Sequence, residues 1–254
     1  MIKGCPDGQG PGREMSYRRD HARHRGPDRT PAGTDPAGAA DSGRVKAAAA
    51  RAGAAAGVIG PAAFTGAWIA SSLRQAGHPT TEIQISGLAA PDARDPWIMI
   101  TGFLVLGGCS VAFGAALHDA LDGHGHAGLA PRLIKGAGIL TIAAGLLRRD
   151  RMLLTPGPVS WHNHAHDVIS AAIYVDLVVA QLLLAARFGS DPRWKPWRPW
   201  LLASAAATAA VLIAFAGDTS APAAGLLQRV AVTIPLAAIT ATAARLLRIP
   251  ATDG

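Results

Sequence analysis

Cysteine is nearly absent: the 254 residues hold two, Cys5 and Cys109, too few and too differently placed for a disulfide framework. Aromatic residues make up 5% and charged residues 16%, where a soluble domain carries about a quarter charged. The charges are also unevenly spread. Of the 41 (24 Lys and Arg, 17 Asp and Glu), 16 fall within residues 1–51, leaving 25 for the remaining 203. A body so poor in charge cannot cover itself with a water-facing surface, which excludes an ordinary soluble domain. No apolar stretch follows the first residues, so a signal peptide is not expected, and Met15 is an alternative start to Met1.

The net charge of +7 raises nucleic acid as a partner. The arginines, however, lie in the first 51 residues and in short segments between apolar runs, with no interleaved exposed aromatics. That is how membrane proteins place cations, so the expected partner is a lipid bilayer and not nucleic acid. Cys109, inside an apolar run, reads as a small buried hydrophobe.

Residues 1–46 are rich in Gly, Pro, Asp and Arg and lack aliphatic periodicity, which predicts a disordered tail. His21 and His24 there read as part of a solvated basic arm. The Ala-rich run from Val45 favours helix and leads toward a domain over residues 52–248. A helix needs about 20 apolar residues to cross the hydrocarbon core. Six runs qualify, at about 52–73, 97–117, 129–147, 168–186, 200–216 and 230–247. The third is the weakest because Arg132 and Lys135 fall near its start, where long basic side chains can snorkel to the headgroups. Pro235 is expected to kink the sixth. Trp97, Trp161 and Trp200 sit at run ends, where an aromatic belt belongs. The fold class is therefore all-α, a polytopic membrane protein with a six-helix transmembrane bundle behind a disordered tail. Gly53 and Gly57 form a GxxxG pair, read as close helix packing rather than a dimer code. The oligomeric state is left open.

Six crossings put both termini on one side. Eleven near-membrane cations then lie with the termini (Arg44, Lys46, Arg51, Arg132, Lys135, Arg187, Arg193, Lys195, Arg198, Arg245, Arg248) against six opposite. The bias places the termini in the cytoplasm of a cell-membrane protein, although the Arg148–Arg151 cluster argues the other way.

Polar groups at the expected outer face call for an explanation. Ser160 follows a proline-rich stretch and reads as a helix N-cap, putting His162, Asn163, His164, His166 and Asp167 in the first turns of the fourth helix. His162 and His166 are one turn apart on one face, with His164 nearly opposite. Asp176 returns to within roughly 40° of that stripe, about 15 Å deeper. Two histidines at i and i+4 can hold a divalent metal such as zinc, with Asp167, Asp150 or Glu82 completing the shell. The alternative is a structural network of caps and hydrogen bonds. A carboxylate inside a span, as Asp176 is, is costly unless it faces protein or water. Gln228 and Arg229, at the entry of the sixth run, complete the polar set, with Arg229 the expected partner of Asp167, of Asp150 or of an anionic headgroup. His118, His124 and His126, amid Gly and Asp, read as a solvated loop.

These features resemble a bacterial family of six-helix membrane proteins, domain of unknown function 998. The residues carrying the resemblance are Gly60-Pro61 with Phe64 and Trp68, Ile85-Ser86-Gly87-Leu88, Trp97 through Gly102-Phe103 and Gly107, Arg149-Asp150-Arg151-Met152, Trp161-His162-Asn163, His166-Asp167 and Leu227-Gln228-Arg229. It spans about Gly57–Leu247 and leaves the tail outside. The resemblance implies an integral membrane protein and brings no established activity.

The expected function is a non-enzymatic scaffold, sensor or small-ligand or lipid-binding bundle using the outer polar cluster. A metal-dependent hydrolase at the membrane surface, with zinc on His162, His166 and an aspartate, is the alternative. A proton-coupled transporter titrating Asp176 is the third, weakened by the lack of an inverted repeat with broken helices.

Overall fold

Long apolar runs satisfy their backbone groups in lipid only as helices, even where Pro61 or Pro235 falls inside one, and a computed structural model of the chain shows six among the described residues. It describes residues 36–121, 128–155, 157–217 and 222–249. The helices are α1 (Pro36–Leu73), α2 (Pro96–Ala120), α3 (Leu129–Leu146), α4 (Trp161–Gly189), α5 (Arg198–Gly217) and α6 (Ala224–Arg248). All six are long and apolar enough to cross a membrane, and the described residues contain no strand. Short 3₁₀ turns occupy Ser86–Ala89 and Lys195–Trp197.

The helices overrun the apolar runs that announce them. α4 starts at Trp161, ahead of the apolar run at 168 and where the expected Ser160 cap puts it, the Ser160 hydroxyl accepting the Asn163 N–H at 3.2 Å. α1 reaches back to Pro36, so residues 36–46, expected within a disordered tail, are helical. Their alanines favour helix, and apolarity was never needed to form it. The rest of the expected tail, residues 1–35, lies outside the described residues, as do His124 and His126. α6 runs unbroken through Pro235.

Small residues decide how the described unit from Asp41 onward is packed. A Cβ on Gly53, Gly57 or Gly60 of α1 would meet Ala116, Phe113 or Cys109 of α2 within 2.6 Å, so the GxxxG pair lies in an intramolecular seam. α2 and α3 pack more closely still. The Gly107 and Gly138 carbonyls lie 2.7 Å and 2.5 Å from the ideal Cβ position of the opposing glycine. Edge-to-face Phe64 and Phe103, 5.3 Å apart, lock α1 to α2 one layer further on. Outward faces remain apolar: Ile139, Val168, Val175 and Ile213 are all exposed, the pattern of helices whose solvent is hydrocarbon.

The segment 74–95 between α1 and α2 is the least regular part, and residues 83–90 within it are all buried. Ile83, Ile85, Leu88, Ala89 and Ala90 are at most 2% exposed, so this segment plugs one end of the bundle. The sequence around it shows why it can: Gly87 lets the Met152 carbonyl come to where a Cβ would stand.

Candidate functional site

Three stretches meet at the plugged end: residues 74–95, residues 147–160 and the first turns of α6. Arg229 ties them. Its Nη1 donates to the carbonyls of Ile83 (2.7 Å) and Gly225 (2.8 Å), and its Nη2 to the Ser72 hydroxyl (2.9 Å). The guanidinium also lies 5.3 Å from the Trp68 ring centroid. Gln228 Oε1 accepts the Ile85 N–H at 2.5 Å, and the Leu226 N–H donates to the Thr81 carbonyl at 3.0 Å. The expected pairing of Arg229 with Asp167 or Asp150 is therefore corrected. Its hydrogen bonds go to neutral oxygens, two carbonyls and a hydroxyl that the several N–H groups of the fork reach together.

Arg149 takes the role assigned to Arg229. It donates to Gln84 Oε1 through Nη1, and its Nε lies 4.0 Å from Asp167 Oδ1. Burial pulls the Arg149 pKa below its ordinary value, and the nearby carboxylates of Asp167 and Asp150 oppose that pull. An arginine remains charged under such a shift, so a cation persists in a poorly hydrated place.

Around it Asp150 organises the entry to α4. It accepts from the Ser160 N–H and hydroxyl, both at 2.6 Å, while its own N–H donates to Asn163 Oδ1 at 3.0 Å. The Asn163 Nδ2 donates onward to Asp167 Oδ2 at 3.0 Å. Since the Ser160 hydroxyl spends its proton on Asp150, His162 Nδ1, 2.8 Å from that oxygen, is the donor to it. The Met152 N–H donates to Asp92 Oδ1 at 2.7 Å, binding this loop to the plug.

The two Ser160 hydrogen bonds hold the Asp150 carboxyl below the usual carboxylate range, with smaller help from His162 and Arg151. A depressed native pKa contributes stability that is present above the unfolded value, about 3.9, and is lost as pH falls through the folded value. Amide exchange across residues 148–160 should therefore quicken as pH falls below about 4 beyond its intrinsic trend, and an Asp150→Asn variant should lose that extra acid response. Parallel profiles for the two proteins would remove Asp150 as the source.

His166 is 1% exposed. Its Nδ1 lies 2.9 Å from the Ala144 carbonyl and 2.8 Å from that of Leu147, two acceptors at the end of α3. The ring proton must therefore sit on Nδ1, and Nε2, buried, has no partner among the described residues. His162, His166 and Asp167 are not brought onto one point: the first is bound to Ser160, the second to α3, the third to Asn163. Among the described residues no three His, Cys, Asp or Glu side chains are grouped to hold a metal ion.

The cluster borders a cavity of about 470 Å³ between α4, α5 and the plug. Arg149, His166, Asp167, Gln84 and Gln228 supply its polar wall, and Leu212 and Phe215 of α5 the apolar one. Asp167, Ala171 and Val175 line it while being exposed on the flank of α4, so it opens sideways between α4 and α5. Ser86, Ser170, Tyr174 and Gln228 are shared with a narrower cavity of about 70 Å³ that continues inward among Phe64, Phe103, Leu106, Ile173, Leu177 and Leu236.

Two sequence-derived candidates stand apart. Glu82 is exposed on the plug, without a side-chain partner among the described residues. Asp176 lines neither cavity; its Oδ2 lies 3.4 Å from where Gly136 of α3 would carry a Cβ. Ser170 and Tyr174, which do line them, follow His166 at steps of four, so the helical period itself pointed to them. Gln84 and Asp92 carried no such signal, because their positions depend on the fold of an irregular segment.

No curated protein and no solved structure matches the chain. A family model described as Protein of unknown function (DUF998) does, over residues 58–245, from the middle of α1 into the last turn of α6. With most of its length covered by that match, the chain belongs to the DUF998 family.

Proposed function

We propose that this is a multi-pass protein of the cell membrane, with both termini cytoplasmic, that binds a lipid-like small molecule at its extracytoplasmic end without transforming it. The observation that carries the reading is the paired cavity: about 470 Å³ beneath Arg149 and His166, continuous with an apolar slot and open along the flank of the bundle. A volume of this size lies in the range of about 300–1,000 Å³ typical of ligand pockets, apolar walls with a few fixed polar groups being the usual lining. A ligand dissolved in the bilayer reaches a sideways opening without leaving lipid. The Trp97 and Trp161 side chains, exposed at the starts of α2 and α4, fit a headgroup level at this same end.

The test is retention of a bound amphiphile by the full chain purified in neutral detergent, read by native mass spectrometry. Wild type should carry one saturable equivalent. Ser170→Phe, which fills the junction of the two cavities, should lower occupancy at least tenfold while elution and helicity stay unchanged. Equal occupancy in the two proteins, or none in wild type after lipid is added back, would refute the pocket.

A further inference from the structure

The chemistry left unspent in the cavity narrows what its occupant must offer. Resting on the pocket reading above, we infer that the ligand is an anionic amphiphile whose headgroup carries a free hydroxyl beside its acidic group, the anion seated at Arg149 and the hydroxyl donated to His166 Nε2.

Arg149 supplies the first half. The cation is largely buried, and the nearest carboxylate, that of Asp167, stands 4.0 Å from its Nε and is itself half exposed. A charge so placed is costly until a closer anion completes its fork. Gln84 takes one Nη1 hydrogen and is a neutral partner only.

His166 supplies the second. With Nδ1 committed to the carbonyls of Ala144 and Leu147, the neutral ring presents only an acceptor at Nε2. A buried acceptor without a partner costs stability until a donor arrives, and the cavity that His166 lines is where one can come from. A bare carboxylate, or a phosphate diester without a hydroxyl, has no proton to give it.

Below this pair the next polar layer is neutral. The hydroxyls of Ser86, Ser170 and Tyr174 have no partner among the described residues, and the Gln228 amide nitrogen is equally uncommitted there, its oxygen being taken by Ile85. Such a ring suits the ester or ether oxygens that join a headgroup to its chains, and the apolar slot beneath suits the start of one chain. The order anion and hydroxyl, then neutral oxygens, then hydrocarbon is the order of groups along a glycerophospholipid.

The deciding experiment compares dioleoyl phosphatidylglycerol with dioleoyl phosphatidylmethanol, which share the phosphate diester and chains but differ in the headgroup hydroxyls. Each is titrated into delipidated full-length protein in neutral detergent, with sn-glycerol 3-phosphate as a chainless probe. Phosphatidylglycerol should bind about tenfold more tightly than phosphatidylmethanol, the equivalent of one hydrogen bond to a buried acceptor. Arg149→Gln should weaken both lipids about tenfold or more while their ratio persists. His166→Gln should erase the ratio. Equal affinity of wild type for the two lipids would overturn the hydroxyl assignment, and binding indifferent to Arg149→Gln would overturn the anion assignment, the pocket itself standing in either case. Competition by glycerol 3-phosphate at the lipid's own concentration would overturn the amphiphile in favour of a water-soluble phosphate. The wild-type comparison needs no variant, so it holds even where a substitution unfolds the loop.

Discussion

Replacing Gly138 by leucine is expected to remove about 3 kcal/mol or more of stability, because even its first carbon has no room. A Cβ at that position stands 2.7 Å from the Gly107 carbonyl oxygen and 3.0 Å from both Ser110 Cβ and the Val111 nitrogen. Two of those three atoms are backbone, so no side-chain rotation relieves them, and α2 and α3 must part. Parting costs dispersion along the whole seam, since the helices touch by surfaces rather than at one residue. For a chain of this size the melting temperature in detergent should fall by about 6–12 °C. Gly108 is the control: one position from Gly107, it has nothing within 4 Å of its would-be Cβ. Gly108→Ala should be neutral or raise stability by up to about 1 kcal/mol through helix propensity. Similar losses at the two positions would show that the seam is not the determinant.

Arg229→Gln is expected to cost about 2–4 kcal/mol, the second large effect. The substitution removes donors from the Ile83 and Gly225 carbonyls and the Ser72 hydroxyl together, and buried acceptors left alone cost about 1–3 kcal/mol each where water cannot follow. Charge is not the property that matters. Arg229→Lys keeps the cation but cannot reach three divergent oxygens from one nitrogen, so it should recover less than half of the loss. Thermal melts of the three proteins, with proteolysis of the plug as a local readout, check this. Full rescue by lysine would mean that a charge alone is needed there.

How far the sequence reveals this molecule depends on whether the cause is carried by side chains in order along the chain. The six helices were legible because about 20 apolar residues in a row have one economical conformation in lipid. The start of α1 was not, because a helix continues past the hydrocarbon wherever propensity allows, as it does back to Pro36. The first turns of α4 were legible from Ser160 and the histidine spacing. Asp176 lies about 80° round the helix from His166, on the side away from Ser170 and Tyr174, so it meets Gly136 of α3 and lines neither cavity. The partner of Arg229 was misread for another reason. Opposite charge suggests carboxylates, whereas backbone carbonyls are attached to every residue and no letter marks the ones that converge.

The clamp on the plug also sets an order of events in time. Ile85 is held by Gln228, 143 positions later in the chain, and Ile83 by Arg229, 146 positions later. During synthesis five helices therefore enter the bilayer while these two clamps are still missing, the segment after the first being held only by its own turns and by the loop before α4. The plugged end of the molecule becomes a pocket only when the last helix arrives, and a ribosome that stops short of it leaves a bundle that is inserted but unlatched.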